Sequence, residues 1–178
     1  MSACLNEVSR GVGGAWNKYR VVGATRAGAA PAKENVGKNP ERYKLVHVGT
    51  IFYNPMRILI GSIGMIDEGD EPGITSPDYV VFKTLTGVLH PRWFYYWLRS
   101  RYGEGFIKAL ARGAVRERML FRRLAVAEIA VPPWEIQVEV AKKLRMIAEA
   151  RQSLMEQLGA INKLPAAILR RAFRGELA

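Results

Sequence analysis

Short apolar runs cut by Gly, Pro and Asn fill the chain from residue 17 to about residue 83, and after residue 134 a longer-period pattern replaces them. The segments "YRVVGAT", "YKLVHVGTIFYN", "RILIGSIGMI" and "DYVVFKT" are rich in β-branched and aromatic residues and bounded by turn formers, which predicts short strands. The stretch "PRWFYYWLRSRYGEGFIKALA" opens on a proline suited to the first turn of a helix. Trp93, Phe94, Trp97 and Leu98 then fall on one face, a stripe expected to join the core. "LFRRLAVAEIAVPP" reads as a short strand closed by Pro132 and Pro133.

Beyond Pro133, Val140, Leu144, Ile147, Leu154, Leu158, Ile161 and Ile168 recur at steps of three and four, with Arg151 and Pro165 occupying two further places of the same heptad. This predicts a long amphipathic helix with one apolar seam. From Glu135 to Leu164 it would span roughly 45 Å at about 1.5 Å per residue, longer than the preceding domain needs for its own core. A partner helix is expected to cover part of the seam. Pro165 should break or kink the helix, leaving "AAILRRAFRGEL" as a second, shorter helix ended near Gly175. The domain boundaries that follow are 1–133 for a β-rich domain with packed helices and 134–178 for the helical part, an α+β protein.

Charge narrows the partner. Lys and Arg number 27 against 16 Asp and Glu, a formal charge of +11, in a chain of 178 residues that is 49% hydrophobic. Such a chain can build a core and carries the electrostatic footprint of something that meets a polyanion. There is no signal-peptide pattern and no run of about 18 apolar residues, so a cytoplasmic location without a membrane is expected. Cys4, His47 and His90 lie at no metal-ligand spacing, and Cys4, near an end expected to be mobile, reads as an incidental thiol.

Three enzymatic readings fail on the residues. Methylation of a base amino group calls for Asn or Asp followed by prolines and an aromatic that stacks on the flipped base. Here Asn54-Pro55 is followed by Met56 and Arg57, and no glycine-rich strand-to-helix turn with a distant acid accompanies it. Gly61-Ser62-Ile63-Gly64 reads as a bulge or hairpin turn. The acidic turn Asp67, Glu68, Asp70 and Glu71 lacks a nuclease-type lysine partner and reads as a solvated loop. No serine has a nucleophile-elbow setting. Asn54-Pro55 is therefore expected to set a turn, with Asn capping it and Pro fixing φ, so that Arg57 leaves in a defined direction.

Placement of positive charge remains. Lys18, Arg20, Arg26, Lys33, Lys38, Arg42 and Lys44 line the strand region, and "RAGAAPAKENVGKNPERYK" has the composition of a long exposed loop. Arg112, Arg116, Arg118, Arg122 and Arg123 form a second cluster. Basic loops on a rigid sheet suit duplex recognition, lysines fixing phosphates and arginines reading base edges. The candidate DNA-binding residues are Lys18, Arg20, Arg26, Lys33, Lys38, Arg57, Arg116 and Arg118. Arg57 can read a base or a phosphate, or hold its own loop.

The segment from "VVGATRAGAAPAKENVGKNPERYKLVHVGTIFYNPMRILIGSIGMIDEGDEPGITSPDYVVFK" through "ARGAVRERMLFRRLAVAEIAVPPWEIQVEVAKKL" to "LPAAILRRAFRGEL" resembles the specificity (S) subunit of type I restriction-modification systems, over residues 19 to 177. "YNPMRI…GSIG", "GITSPDY", "GAVRERMLF" and "VPPWEIQ" carry the resemblance together. It implies a target recognition domain that reads one half of a bipartite site in double-stranded DNA without catalysing a reaction or holding a cofactor. It also implies a spacer helix that pairs as an antiparallel coiled coil and docks methyltransferase subunits and a motor-nuclease restriction subunit. A usual S subunit has two recognition domains and two spacer helices; here there is one of each, which suggests a half-subunit that forms a homodimer or needs another half. Alternatives of other classes are the recognition module of a fused methyltransferase-nuclease and a general nucleic-acid-binding module.

Overall fold

The fold is given by a computed structural model that describes residues 1, 3–32, 36–111 and 118–176. It divides into two compact units, Met1–Val138 and Glu139–Ala178. The first contains strands β1 (Leu5–Glu7), β2 (Arg20–Thr25), β3 (Gly28–Pro31), β4 (Lys44–Val46), β5 (Thr50–Tyr53), β6 (Ile63–Met65), β7 (Gly73–Thr75) and β8 (Val80–Thr84), and helices α1 (Pro91–Leu98), α2 (Arg101–Ala111) and α3 (Phe121–Val126). Helix α4 (Trp134–Phe173) starts in the first unit and makes up the second. The architecture is α+β.

One sheet has the order β1-β8-β5-β6, antiparallel throughout; the other has the order β3-β2-β7-β4, in which β2 and β7 run parallel. The pleat of β5 shows why its sequence is an unbroken apolar run. Ile51 and Tyr53 join Val80, Phe82, Phe94, Leu98 and Ile107 in the core shared with α1 and α2. Phe52, on the opposite face, joins Val81, Val22 and Val46 beneath the second sheet. A strand buried on both faces loses the apolar-polar alternation that a half-exposed one keeps.

Several strands lie where the pattern places them, and the differences have local causes. In "YKLVHVGTIFYN" the run splits into β4 and β5 at Gly49, whose φ of +81° belongs to the left-handed region. "RILIGSIGMI" begins as a 3-10 turn, Ile58–Ile60, and extends only from Ile63. Part of the expected long loop is β3, a hairpin partner of β2 with Gly28 opposite Thr25. "LFRRLAVAEIAVPP" is not a strand: Phe121–Val126 is helical because Phe121, Leu124 and Ala127, three apart, make one inward face, with Phe121 against the Phe82 ring at 6.1 Å. Cys4 is half-buried, and its carbonyl accepts the Leu85 N–H at 2.8 Å, so it is tied to the sheet.

The largest correction is at Pro165. Helix α4 is one continuous element of 40 residues that passes through it, so no separate short helix follows. Proline removes one N–H from the ladder, and good helix formers on both sides leave the remaining bonds to carry the helix. Its end is sharply defined. Gly175, at φ +72°, donates to the Ala172 carbonyl at 3.0 Å, and Glu176 donates to the Arg171 carbonyl at 3.0 Å, a Schellman closure. Along the seam Ile147, Leu154, Leu158, Ile161 and Ile168 are each at least half exposed, while Val140 and Leu144 are half-buried. Elsewhere on α4, Lys143 pairs with Glu139 at 2.7 Å and Arg145 with Glu149 at 2.6 Å, both four residues apart.

Candidate nucleic-acid interface

The turn between β5 and β6 is built from its backbone outward. Asn54 Oδ1 accepts the Met56 N–H at 2.9 Å, and the Asn54 carbonyl accepts the Arg57 N–H at 3.0 Å, so Asn54-Pro55 does set a turn. The Arg57 carbonyl accepts from Ile60 at 3.1 Å and from Ser62 at 3.2 Å, and Gly61, at φ +82°, closes the 3-10 turn. Gly64 has a different reason: it faces Phe52 across the strands, and a Cβ there would lie 2.7 Å from the Phe52 ring. Both glycines serve the fold of the turn and its flanking strand.

Two neighbours hold this turn in place. Ser62 Oγ donates to the Ala24 carbonyl at 2.6 Å, and the Met119 N–H donates to the Pro55 carbonyl at 3.0 Å. The first contact brings Arg26, at the end of β2, beside Gly61; the second places Arg118 one residue from the turn. Arg26 and Arg57 are exposed, whereas Arg118 is half-buried with its Nε enclosed and unpartnered. The structure thus groups Arg26, Arg57 and Arg118 around one turn.

The other candidate cations lie elsewhere. Arg20 begins β2, on the order of 20 Å from Arg26 at the rise of a strand. It faces Glu71, 3.6 Å from a carboxylate oxygen. Lys18 ends the 3-10 turn Gly13–Lys18, which packs on a second such turn, Pro40–Arg42. Lys18, Lys38 and Arg42 are exposed there. Lys44 Nζ donates to the Tyr79 carbonyl at 2.7 Å, and burial pulls its pKa below the usual lysine range. Arg123 donates to the Leu110 carbonyl at 2.7 Å, a structural role. Lys33, Arg112 and Arg116 lie outside the described residues.

Two arginines absent from the candidate set hold the frame. Buried Arg92 forks onto Asp67, with Nε at 2.8 Å from Oδ2 and NH2 paired with Oδ1, and it reaches Glu68 at 3.8 Å. The acidic turn is therefore partly structural: Asp67 is the counter-ion of a desolvated guanidinium. Arg99 donates to the Ile63 carbonyl at 2.9 Å and to the Arg26 carbonyl at 2.6 Å while lying 5.1 Å over the Tyr95 ring. It fastens the β2–β3 hairpin to β6 and α1. The signal for Arg92 in the sequence is its position three and six residues before Tyr95 and Leu98, on the inward face of α1.

Gln137 closes the domain at the root of α4. Its Oε1 accepts the His90 N–H at 2.8 Å, and its Nε2 donates to the carbonyls of Val88 and Pro132 at 3.0 and 2.8 Å. The adjacent His90 imidazole has its pKa lowered, first by burial and then by Arg92. Among the described residues no three His, Cys, Asp or Glu side chains converge as a metal site, and no helix is long and apolar enough to cross a membrane.

Set beside solved structures, the α+β arrangement of two sheets, packed helices and one long helix is the fold of an HsdS-type chain. The crystal structure of the HsdS subunit from Thermoanaerobacter tengcongensis matches with a TM-score of 0.54 at 16% identity, over 86% of this chain and 41% of that one. A chain from a structure addressing complex assembly and conformational transition of the type I R-M system matches with a TM-score of 0.49 at 18% identity, over 99% of this chain and 42% of that one. This chain spans about two fifths of the length of either. No protein-family model and no curated protein sequence matches it.

Proposed function

We propose that the chain is a DNA-binding specificity subunit of a type I restriction-modification complex, non-catalytic itself, that reads one half of a bipartite site in double-stranded DNA. The likeness to an HsdS subunit over 86% of this chain carries the reading. The charge of +11 and the two groups of exposed cations, one around the β5–β6 turn and one around Lys18 and Lys38, support the DNA partner. The α1 aromatics do not form a stacking platform for single strands: Phe94 and Tyr95 are buried, and Trp93, Tyr96 and Trp97 are half-buried.

On this reading two copies pair through the exposed seam of α4 as an antiparallel coiled coil. Two copies, at twice 41%, would supply about four fifths of the length of the HsdS chain. A two-fold dimer reads an inverted repeat with a fixed gap. The helices would also seat methyltransferase and restriction subunits, in the cytoplasm where the DNA is.

The test is a map of methylated adenines across the host genome with and without this gene. Loss of one palindromic bipartite motif is the expected result. An asymmetric motif would replace the homodimer by a pair with a different half, and an unchanged map would overturn the specificity role.

A second expectation concerns phosphates. Changing Lys18 and Lys38 to Ala should weaken binding to every duplex alike and lower the slope of log affinity against log salt by about one for each phosphate no longer neutralised. Titration of labelled duplexes at several salt concentrations measures it, and equal slopes would remove both lysines from the interface.

A further inference from the structure

Lys44 stands apart from the other described lysines. It alone is half-buried, whereas the rest, Lys18, Lys38 and Lys83 among them, are exposed. Its Nζ is held on the Tyr79 carbonyl at 2.7 Å, and burial lowers its pKa further than the nearby Glu7 and Asp78 carboxylates raise it. More of this amine is neutral at a given pH than of an exposed lysine, and only the neutral form has a lone pair to attack with. Reactants can reach it. Lys44 and Arg42 line a cavity of about 360 Å³ together with Ser9, Gly11, Gly13 and Glu41, a volume suited to a small molecule. One wall is fixed by main chain: a Cβ on Gly11 would lie 2.4 Å from the Glu41 carbonyl oxygen. Arg42 brings an exposed guanidinium to the same cavity, a group that pairs with a phosphoryl anion in bidentate fashion.

We propose that Lys44 is a modification site that takes an acyl group from an acyl phosphate, with Arg42 seating the phosphoryl end. The neutral amine attacks the carbonyl carbon. A C–N bond forms, the C–O bond to phosphate breaks, inorganic phosphate leaves with that electron pair, and the amine's proton passes to water. The proposal stands apart from the DNA reading, since it uses no DNA contact. Acylation removes the charge that Lys44 sets against Glu7 and Asp78 and weakens its bond to the Tyr79 carbonyl. Tyr79 is a joint between the sheets: its hydroxyl accepts the Ala24 N–H at 3.3 Å, and its ring lies 6.2 Å from that of Phe52. Modification at Lys44 therefore loosens the seat of β2 against β5.

The experiment incubates the full chain with acetyl phosphate at neutral pH and follows each lysine by peptide mass spectrometry, in the wild type and in Arg42→Ala. An uncharged donor, N-hydroxysuccinimidyl acetate, is run in parallel. Acetyl phosphate should modify Lys44 several-fold faster than Lys18, Lys38 and Lys83. Arg42→Ala should remove most of that preference and leave the reaction with the uncharged donor unchanged. Wild-type Lys44 reacting no faster than the exposed lysines overturns the proposal. A preference undiminished in an Arg42→Ala variant of unchanged melting temperature overturns the phosphoryl seat, and with it the acyl phosphate as donor. Lys44→Gln, which removes the charge as acylation does, should melt below Lys44→Arg; equal melting temperatures would overturn the link to Tyr79.

Discussion

Glutamate in place of Ile147 and Leu154 is expected to turn the proposed dimer into a monomer of 19.9 kDa without unfolding the unit Met1–Val138. Both side chains are 64% exposed on α4, and the seam they belong to has the spacing of a coiled coil. Burial of such a side chain contributes about 1.5–3 kcal/mol. Two per chain, doubled by symmetry, amount to roughly 6–12 kcal/mol, comparable with the whole association energy of a micromolar dimer at about 8 kcal/mol. Carboxylates introduced into the seam add like-charge repulsion. Light scattering should report half the wild-type mass. Tryptophan fluorescence should persist, because Trp16, Trp93, Trp97 and Trp134 all lie in Met1–Val138. An unchanged mass would count against pairing through this seam.

The second large effect is expected at Gly103. A Cβ there would sit 2.2 Å from the Trp97 carbonyl oxygen and 2.5 Å from that of Leu98, both main-chain atoms at the end of α1. No flexible side chain can move aside, so Gly103→Ala must separate α1 from α2 and disturb the packing of Leu98 and Ile107. The cost is on the order of 3 kcal/mol or more, which for a chain of this size lowers the melting temperature by about 10 °C. Gly105, two residues on in the same helix, is the control. Nothing lies within 4 Å of its Cβ, so Gly105→Ala should stabilise by roughly 0.5–1 kcal/mol through helix propensity. Thermal denaturation of the two variants should give shifts of opposite sign; equal shifts would refute the close approach.

The strands that fall in apolar, β-branched runs and the long helix are legible in the sequence because periodicity and β-branched composition are local signals. β2, β5 and β8 lie within the runs that announce them, and α4 follows its heptad. β1, β3 and β7, which lie outside those runs, are not visible in this way: they exist because a neighbour offers a ladder, as when Leu5 pairs with Thr84 and Gly73 with Arg20. "LFRRLAVAEIAVPP" misleads because a short apolar run closed by prolines matches a strand, while Phe121 and Leu124 share one helical face that answers to a core several elements away. Pro165 misleads because the cost of a proline is local, whereas the helix that absorbs it extends many residues to either side.

At the candidate interface, the Asn54-Pro55 turn can be read from turn chemistry alone. The grouping of Arg26 with Arg57 cannot, since it depends on the hydrogen bond from Ser62 to Ala24 across 38 residues of chain. Nor can the fork of Arg92 on Asp67, which needs a helix and a strand end brought together by the fold.

The β5–β6 turn divides its labour between shape and presentation. Its shape is set by Asn54, Pro55, Ile58, Gly61 and Ser62, through main-chain bonds and one buried anchor. The side chains of Met56, Arg57 and Ile60 stand outside that scaffold. Substitutions at these three positions can therefore change what the turn presents to solvent without first requiring the fold beneath it to be repaired.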